Sequence, residues 1–179
     1  MTERKRMMSN GLAFAEEKDM KQLRKKASQG WLLKRFRGLG YEFEKGTPED
    51  VVFTIDYQDV RGNEKEEYIE MFEMAGWTYV CSSQEMHIFK AKHGTKPIYS
   101  DAETETGKYC RLQAVCKMPA LISVMFTIIT FIIFMLTEET VSTIFSYVFS
   151  FSFIVTLPLV FTYGAATYRM IRKRGQIFS

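Results

Sequence analysis

Two long stretches without a charged residue dominate the second half of the chain. Residues 119–136 and 141–168 contain no Asp, Glu, Lys, Arg or His, and Glu138 and Glu139 lie between them. At about 1.5 Å of rise per residue, each stretch is close to or longer than the roughly 30 Å hydrocarbon core of a bilayer. The pattern predicts two transmembrane helices, 119–136 and 141–168, that form a hairpin.

Basic residues lie at the two ends of this predicted hairpin and not in the connection between its helices. They lie before the first stretch and after the second, at Lys108, Arg111, Lys117, Arg169, Arg172, Lys173 and Arg174. Since Lys and Arg favour the cytoplasmic side, we expect a two-span cell-membrane protein with both termini in the cytoplasm. Residues 108–118 are then a juxtamembrane segment and residues 169–179 a basic cytoplasmic tail. We expect no cleaved signal peptide, because the N-terminal region has no long apolar run.

A pattern of apolar residues also repeats within residues 1–107, the predicted cytoplasmic head. In each copy an amphipathic helical stretch ends at a Gly-Trp pair, after which apolar and polar residues alternate as in a strand. Forty-six positions separate the copies: Leu23, Gly30, Trp31, Leu33 and Phe43 correspond to Ile69, Gly76, Trp77, Tyr79 and Phe89. Gly30 and Gly76 are predicted helix C-terminal residues with positive φ.

The repeated pattern predicts an α+β head with the order strand, helix, strand, strand, present twice over about 11–46 and 51–92. Leu12 to Phe14 is predicted as the first strand, and Phe53, Ile55 and Tyr57 belong to the strand that opens the second copy. Each helix would cover a sheet face in a two-layer, ferredoxin-like arrangement. Whether the strands form one sheet is left open. The predicted core residues are Trp31, Phe43, Trp77 and Phe89, and residues 91–107 are predicted as a linker with a short strand at Ile98 and Tyr99.

Charge is distributed unevenly along the head. Residues 1–37 hold eleven Lys or Arg against four Asp or Glu, whereas residues 38–110 hold seven against fifteen. The basic cluster comprises Lys21, Arg24, Lys25, Lys26, Lys34, Arg35 and Arg37. It is interpreted as a solvated face, a contact with inner-leaflet lipid, or a docking site for an acidic protein, including a second copy. Nucleic acid ranks last because no DNA-binding motif accompanies the cluster.

The residues that could carry chemistry do not form a familiar catalytic pattern. Cys81, His87 and His93 lack the paired short spacing of a zinc site, and we expect no metal, cofactor or disulfide. The acidic run from Glu64 to Glu73 is interpreted as a solvated helix face, and no enzyme motif accompanies it. Hydroxyl residues in the second span, among them Ser152 and Thr156, predict helix packing or a homo-oligomer.

Several short motifs in the head resemble a bacterial family of membrane-attached proteins, domain of unknown function 2812. They include Ala27-Ser28-Gln29-Gly30-Trp31, Gly40-Tyr41-Glu42-Phe43-Glu44-Lys45-Gly46, Ile55-Asp56-Tyr57, Phe72-Glu73-Met74-Ala75-Gly76-Trp77 and His87-Ile88-Phe89-Lys90. The resemblance implies a membrane hairpin and suggests a PadR-type regulator as partner. It supplies no catalytic residues.

The sequence as a whole favours a non-enzymatic, membrane-anchored cytoplasmic interaction or sensing module. A regulatory role linked to a PadR-type regulator is part of this hypothesis. Two alternatives remain open at this point: a small membrane enzyme or transporter subunit, and a homo-oligomeric membrane scaffold.

Overall fold

The arrangement of the chain is given by a computed structural model, which describes residues 3–60, 62, 64–99, 102–137 and 139–175. Its elements are β1 (Arg4–Met8), α1 (Leu12–Ala27), β2 (Trp31–Arg37), β3 (Gly40–Lys45), β4 (Val51–Tyr57), α2 (Glu64–Met74), β5 (Thr78–Ser83), β6 (Met86–Lys92), α3 (Ala102–Leu136) and α4 (Glu139–Gly175). The chain divides into two compact units: Met1–Lys108, here called the head, and Tyr109–Ser179, here called the helical hairpin.

The predicted order of strand, helix, strand, strand is confirmed in both halves of the head. The position predicted for the first strand is wrong. Leu12 to Phe14 open α1 after Gly11, and the strand is the charged segment Arg4–Met8. Ile98 and Tyr99 lie outside the strands, and α3 already begins at Ala102, within the predicted linker.

The strands form two separate antiparallel sheets rather than one. The first sheet has the order β1-β3-β2 and the second has the order β4-β6-β5. In each sheet the strand that comes last in the sequence, β3 or β6, lies in the middle. The edge strands β2 and β5 contact each other. The question that the sequence left open is therefore answered in favour of two three-stranded sheets.

The β2–β3 and β5–β6 pairings share one register. Leu33 pairs with Phe43 in the first sheet, and Tyr79 pairs with Phe89 in the second. Each register then shifts at the next residue, between Leu33 and Arg35 and between Tyr79 and Cys81. Since the two shifts are also forty-six positions apart, corresponding residues of the two strand pairs have corresponding partners.

Both glycines of the Gly-Trp pairs have the predicted backbone conformation. Gly30 follows α1 with φ of 78°, and Gly76 follows α2 with φ of 83°. This left-handed region is strained for residues with a side chain, whereas glycine adopts it readily. Each glycine therefore ends a helix and directs the chain into the next strand.

The two helices of the head cover different sheet surfaces. Because side chains alternate along a strand, Tyr41 and Phe43 lie on the face of the first sheet turned toward α1, where Tyr41 bonds to the helix residue Asp19. The second sheet is covered on both faces. Tyr57 meets Glu16 of α1 on one face, and Phe89 stacks on Phe72 of α2 on the other, with ring centroids 3.9 Å apart.

The four residues predicted as core differ in burial. Phe43 and Phe89 are fully buried, and Trp77 is buried with its indole N–H bonded to the Lys96 carbonyl at 3.2 Å. Trp31 is only partly buried. Its ring lies beneath the ammonium groups of Lys45 and Lys5, at 4.8 and 5.3 Å from its centroid. The two tryptophans are thus equivalent in sequence position but not in packing.

This difference predicts unequal effects of replacing the two tryptophans. Trp77→Ala is expected to destabilise the head by about 3 to 5 kcal/mol, because it leaves a cavity in the core beside α2. Trp31→Ala is expected to cost less than about 2 kcal/mol, because it removes a partly exposed ring and two cation–π contacts. Denaturant unfolding of the detergent-solubilised chain measures both, since each variant retains the other tryptophan as a fluorescent reporter. Equal losses of stability would contradict this difference in packing.

In the helical hairpin, α3 and α4 pack antiparallel through polar and aromatic contacts. The Thr127 hydroxyl lies 2.6 Å from that of Ser152 and 2.8 Å from that of Thr156. Phe131 packs against Phe149 further along the pair. Ser152 and Thr156 are both buried within the hairpin, so these hydroxyls are used inside one chain.

Both helices of the hairpin are long and apolar enough to cross a membrane, over Thr104–Leu136 and Thr143–Gly175. Large apolar side chains such as Phe126, Ile132 and Phe151 remain exposed on their outer surfaces. Exposed apolar surface on this scale is typical of helices that face lipid or a partner. Glu138 and residues 176–179 of the predicted tail lie outside the described residues.

Candidate anion-binding surface

The outer face of the first sheet carries a buried carboxylate surrounded by arginines. Glu42 lies in the middle of the central strand β3, and its side chain is almost inaccessible. Arg35 donates to Glu42 Oε1 from Nη2 at 2.8 Å and from Nε at 3.1 Å. Arg37 donates to Oε2 at 2.5 Å. Both arginines belong to β2, so each oxygen of the carboxylate is bonded by a guanidinium group from this one strand.

Two more arginines approach Glu42 from the opposite strand, β1. Arg4 and Arg6 lie 4.0 and 3.9 Å from its carboxylate oxygens. The sheet register explains this convergence, since Arg6 and Arg35 both pair with Glu42. Residues two apart on a strand share a face, which places Arg4 and Arg37 on the same side. We call Arg4, Arg6, Arg35 and Arg37 around Glu42 the arginine face.

The arginine face has an excess of positive charge. A hydrogen bond from Arg37, together with the neighbouring Arg35, holds the pKa of Glu42 below its usual range. Glu42 is therefore a carboxylate at neutral pH, and arginine does not lose its proton there. Four cations surround one anion, and the four arginine side chains are between 44% and 67% exposed. Each guanidinium group carries five N–H donors, and Arg35 and Arg37 use three of theirs on Glu42, so further donors remain for a ligand.

A shallow cavity of about 240 Å³ adjoins the arginine face. It is lined by Arg4, Lys34, Arg35, Glu42, Phe43 and Glu44. Lys34 lies 3.5 Å from Glu44, so this ion pair borders the cavity. A carboxylate or phosphate group fits the chemistry of this surface, because guanidinium groups bind both through paired hydrogen bonds.

The structure divides the predicted basic cluster between two surfaces. Lys34, Arg35 and Arg37 lie on β2 at the arginine face, whereas Lys21, Arg24 and Lys25 lie on α1, which packs against the other face of this sheet. Arg24 forms an exposed ion pair with Asp50 at 3.3 Å. Arg4 and Arg6 were not among the residues predicted from the sequence. The signal was present, since Arg-x-Arg occurs at 4–6 and again at 35–37.

The corresponding face of the second sheet has the opposite character. The residue forty-six positions after Glu42 is Ile88, which is fully buried beside its strand partner Ile55. Arg35 corresponds in the same way to Cys81, and burial raises the pKa of the Cys81 thiol to about 12. This face packs under α1, whereas the arginine face is exposed.

A second polar cluster lies inside the head, between the middle of α1 and the segment that precedes this helix. The fully buried Asp19 accepts hydrogen bonds from Ser9 Oγ at 2.5 Å, from Asn10 N at 3.0 Å, from Asn10 Nδ2 at 2.6 Å and from Tyr41 Oη at 2.9 Å. Burial, and then the Asp19 carboxylate, raise the pKa of Tyr41, so its hydroxyl remains a donor. These bonds fix the connection between β1 and α1.

One turn before Asp19, Glu16 forms a buried ion pair with Lys108 of α3. The Lys108 ammonium also lies 5.7 Å from the Tyr57 ring centroid and 5.2 Å from that of Tyr99. The pair therefore joins the first turns of α3 to α1 within the head.

Cys81 and His87, which were considered as metal ligands, lie on opposite faces of the second sheet. Cys81 pairs with Ile88, whereas His87 is the next residue along β6 and turns toward Tyr68 of α2. His87 Nε2 lies 3.0 Å from the Gln58 carbonyl oxygen. A single ion cannot be bound by both residues in this arrangement.

Comparison with known proteins gives a family but no characterised relative. No curated protein and no solved structure matches the chain. One family model, described as a protein of unknown function (DUF2812), matches residues 15–121. This match covers more than half of the chain and confirms the resemblance seen in the sequence. The chain therefore belongs to the DUF2812 family of proteins of unknown function.

Proposed function

We propose that this protein is a membrane-anchored cytoplasmic interaction module whose head binds an anionic partner through the arginine face. The observation that carries the proposal is the cluster of four exposed arginines around the buried Glu42. If these arginines were only solvated, the surface would not require a buried carboxylate at its centre. Here Glu42 restrains Arg35 and Arg37 in fixed positions, which lowers the entropy that a bound anion would otherwise have to offset.

The helical hairpin supports the membrane part of the proposal. Its two helices are long and apolar enough to span a bilayer, and basic residues occur in the last turn of α4 at Arg172, Lys173 and Arg174. With Lys117 before the first apolar stretch, this distribution favours cytoplasmic termini and a cytoplasmic head.

A non-catalytic role is part of the same proposal. The buried charged groups Asp19, Glu16 and Lys108 are engaged in hydrogen bonds that connect elements of the head. Groups used in this way stabilise the fold and are poorly placed to exchange protons with a substrate. This favours binding over catalysis.

The proposal also includes an origin of the head by internal duplication and a protein partner. The shared register and shared bulge position of the two β-sheet pairs support an origin by internal duplication. A PadR-type regulator is the proposed protein partner, on the basis of the family resemblance. Co-purification of the intact chain from its own membrane tests this pairing.

Binding to a polyanion tests the arginine face directly. The probe is a fluorescein-labelled poly-glutamate peptide, and the protein is the full chain in nanodiscs of neutral phosphatidylcholine. The double variant Arg4→Gln/Arg6→Gln is expected to weaken binding at least about tenfold at low salt, since each removed cation contributes roughly 1 kcal/mol. These two arginines are the more distant pair from Glu42, so the fold is expected to survive. Fluorescence anisotropy gives the dissociation constants.

A matched variant controls for the loss of net charge. Lys21→Gln/Lys25→Gln removes two exposed cations from α1 and leaves the arginine face intact. It is expected to change the dissociation constant less than about threefold, in keeping with screened long-range interactions. Equal weakening by the two double variants would mean that binding is non-specific and that the arginine face is not the site.

A further inference from the structure

The arginine face ends at an exposed apolar tip. Met8 closes β1 and Leu39 lies in the turn between β2 and β3, and their side chains are 69% and 81% exposed. They are held together, because Ser9 N donates to the Leu39 carbonyl at 3.0 Å and Met8 pairs with Gly40. Two large apolar side chains therefore project from one end of the first sheet.

Cations flank this apolar tip on both strands. A groove of about 490 Å³ is lined by Arg6, Met7, Met8, Arg37, Gly38, Leu39 and Tyr41. Arg6 and Arg37 are the members of the arginine face nearest the tip in sequence, two residues from Met8 and from Leu39 respectively. The tip and the arginine face thus form one continuous surface of apolar and basic side chains.

From this surface we propose that the head docks on anionic lipid, with the arginines contacting the headgroup phosphates and Met8 and Leu39 inserting between the headgroups. The inference rests on the proposed function and names the partner of that same surface. A lipid surface offers both an anionic layer and an apolar layer beneath it, and interfacial proteins combine these two attractions.

The apolar tip distinguishes lipid from an acidic protein segment as the partner. An acidic segment complements the guanidinium groups but offers no apolar partner for Leu39. A turn flanked by Gly38 and Gly40 usually carries a polar residue, and covering the exposed Leu39 side chain with apolar material would be favourable. A head attached to membrane helices also meets lipid at a high effective concentration.

Fluorescent labelling tests the insertion of the tip. In a chain carrying Cys110→Ser and Cys116→Ser, the retained Cys81 is buried, so Leu39→Cys provides one accessible thiol for an environment-sensitive NBD label. The full chain is placed in nanodiscs of phosphatidylcholine alone or mixed with phosphatidylglycerol. In the mixed discs we expect a blue shift of NBD emission and severalfold stronger quenching by doxyl-labelled lipids than in the neutral discs.

A label on the other side of the head serves as the matched control. Met74 on α2 is 79% exposed, close to the value for Leu39, and its Met74→Cys label is expected to show neither change. Adding Arg4→Gln/Arg6→Gln to the chain labelled at residue 39 is expected to abolish the blue shift. Equal quenching at residue 39 in neutral and anionic discs would overturn the role assigned to the arginines.

The outcomes also separate this inference from the proposed function. If residue 39 behaves as residue 74 does in anionic discs while poly-glutamate still binds through the arginine face, the partner is an acidic protein and the lipid proposal is wrong. If poly-glutamate binding is also unaffected by Arg4→Gln/Arg6→Gln, the proposed function is wrong as well.

Discussion

Asp19→Ala is expected to destabilise the head by about 3 to 4 kcal/mol, because it removes the acceptor of four hydrogen bonds at once. Some of the deprived donors regain water, but the Tyr41 hydroxyl is buried and does not. Denaturant unfolding of the detergent-solubilised chain, followed by tryptophan fluorescence, measures the loss.

A double-mutant cycle with Tyr41→Phe identifies the cause. Tyr41→Phe removes one donor and is expected to cost about 1 to 2 kcal/mol alone, but less in the Asp19→Ala background, where its partner is already missing. Asp50→Ala provides a surface control, since this carboxylate is 72% exposed and forms an exposed ion pair with Arg24, and it is expected to change stability by less than about 1 kcal/mol. Additive effects of Asp19→Ala and Tyr41→Phe would contradict the described cluster.

The buried pair of Glu16 and Lys108 predicts the second large effect. Glu16→Met removes the carboxylate that pairs with the buried Lys108 ammonium, and Lys108→Met removes the ammonium that pairs with Glu16. Each single variant is expected to lose about 3 to 5 kcal/mol of unfolding free energy, because removing one member of a buried ion pair is strongly unfavourable. The same unfolding experiment measures both variants.

Replacing both members of this pair is expected to restore much of the stability. Buried ion pairs often contribute little beyond apolar residues of similar volume, because desolvation offsets their attraction. Glu16→Met/Lys108→Met should therefore be more stable than either single variant. A double variant that loses the sum of the two single effects would show that the two residues do not interact as described.

The periodicity of the sequence predicted most of the fold, and its errors have physical causes. Gly30 and Gly76 ended the helices as predicted, since only their backbone freedom satisfies the turn into the next strand. The first strand was misplaced because Arg4–Met8 is charged and reads as a solvated tail. It is an edge strand with its arginines on an exposed face, so its sequence lacks the buried apolar residues that usually indicate a strand.

The buried polar groups of α1 escaped prediction for a similar reason. Glu16 and Asp19 entered the prediction only through the charge count of residues 1–37, yet they share the helical spacing of Leu23 and Ala27, which are buried. This spacing indicated a buried position, but charged residues are normally exposed. Burial of Glu16 and Asp19 is favourable because Lys108 and Tyr41, from distant segments, bond to them.

The candidate site could be predicted only in part. The basic residues of α1 and those of β2 were predicted as one cluster because they are close in sequence. In the structure they lie on different surfaces, because α1 packs against the face of the first sheet that is opposite the arginine face. Arg4 and Arg6 join the site through the β1–β3 register, a long-range pairing that no local pattern specifies.

Labelling from the two sides of the membrane tests the proposed arrangement of a cytoplasmic head on a membrane-spanning hairpin. In chains with Cys110→Ser and Cys116→Ser, one thiol is placed in the head by Met74→Cys, at an exposed position of α2, or between α3 and α4 by Thr137→Cys. With a membrane-impermeant maleimide, residue 74 is expected to react only in inverted vesicles and residue 137 only in intact cells. Reaction of both residues from the same side would contradict the account.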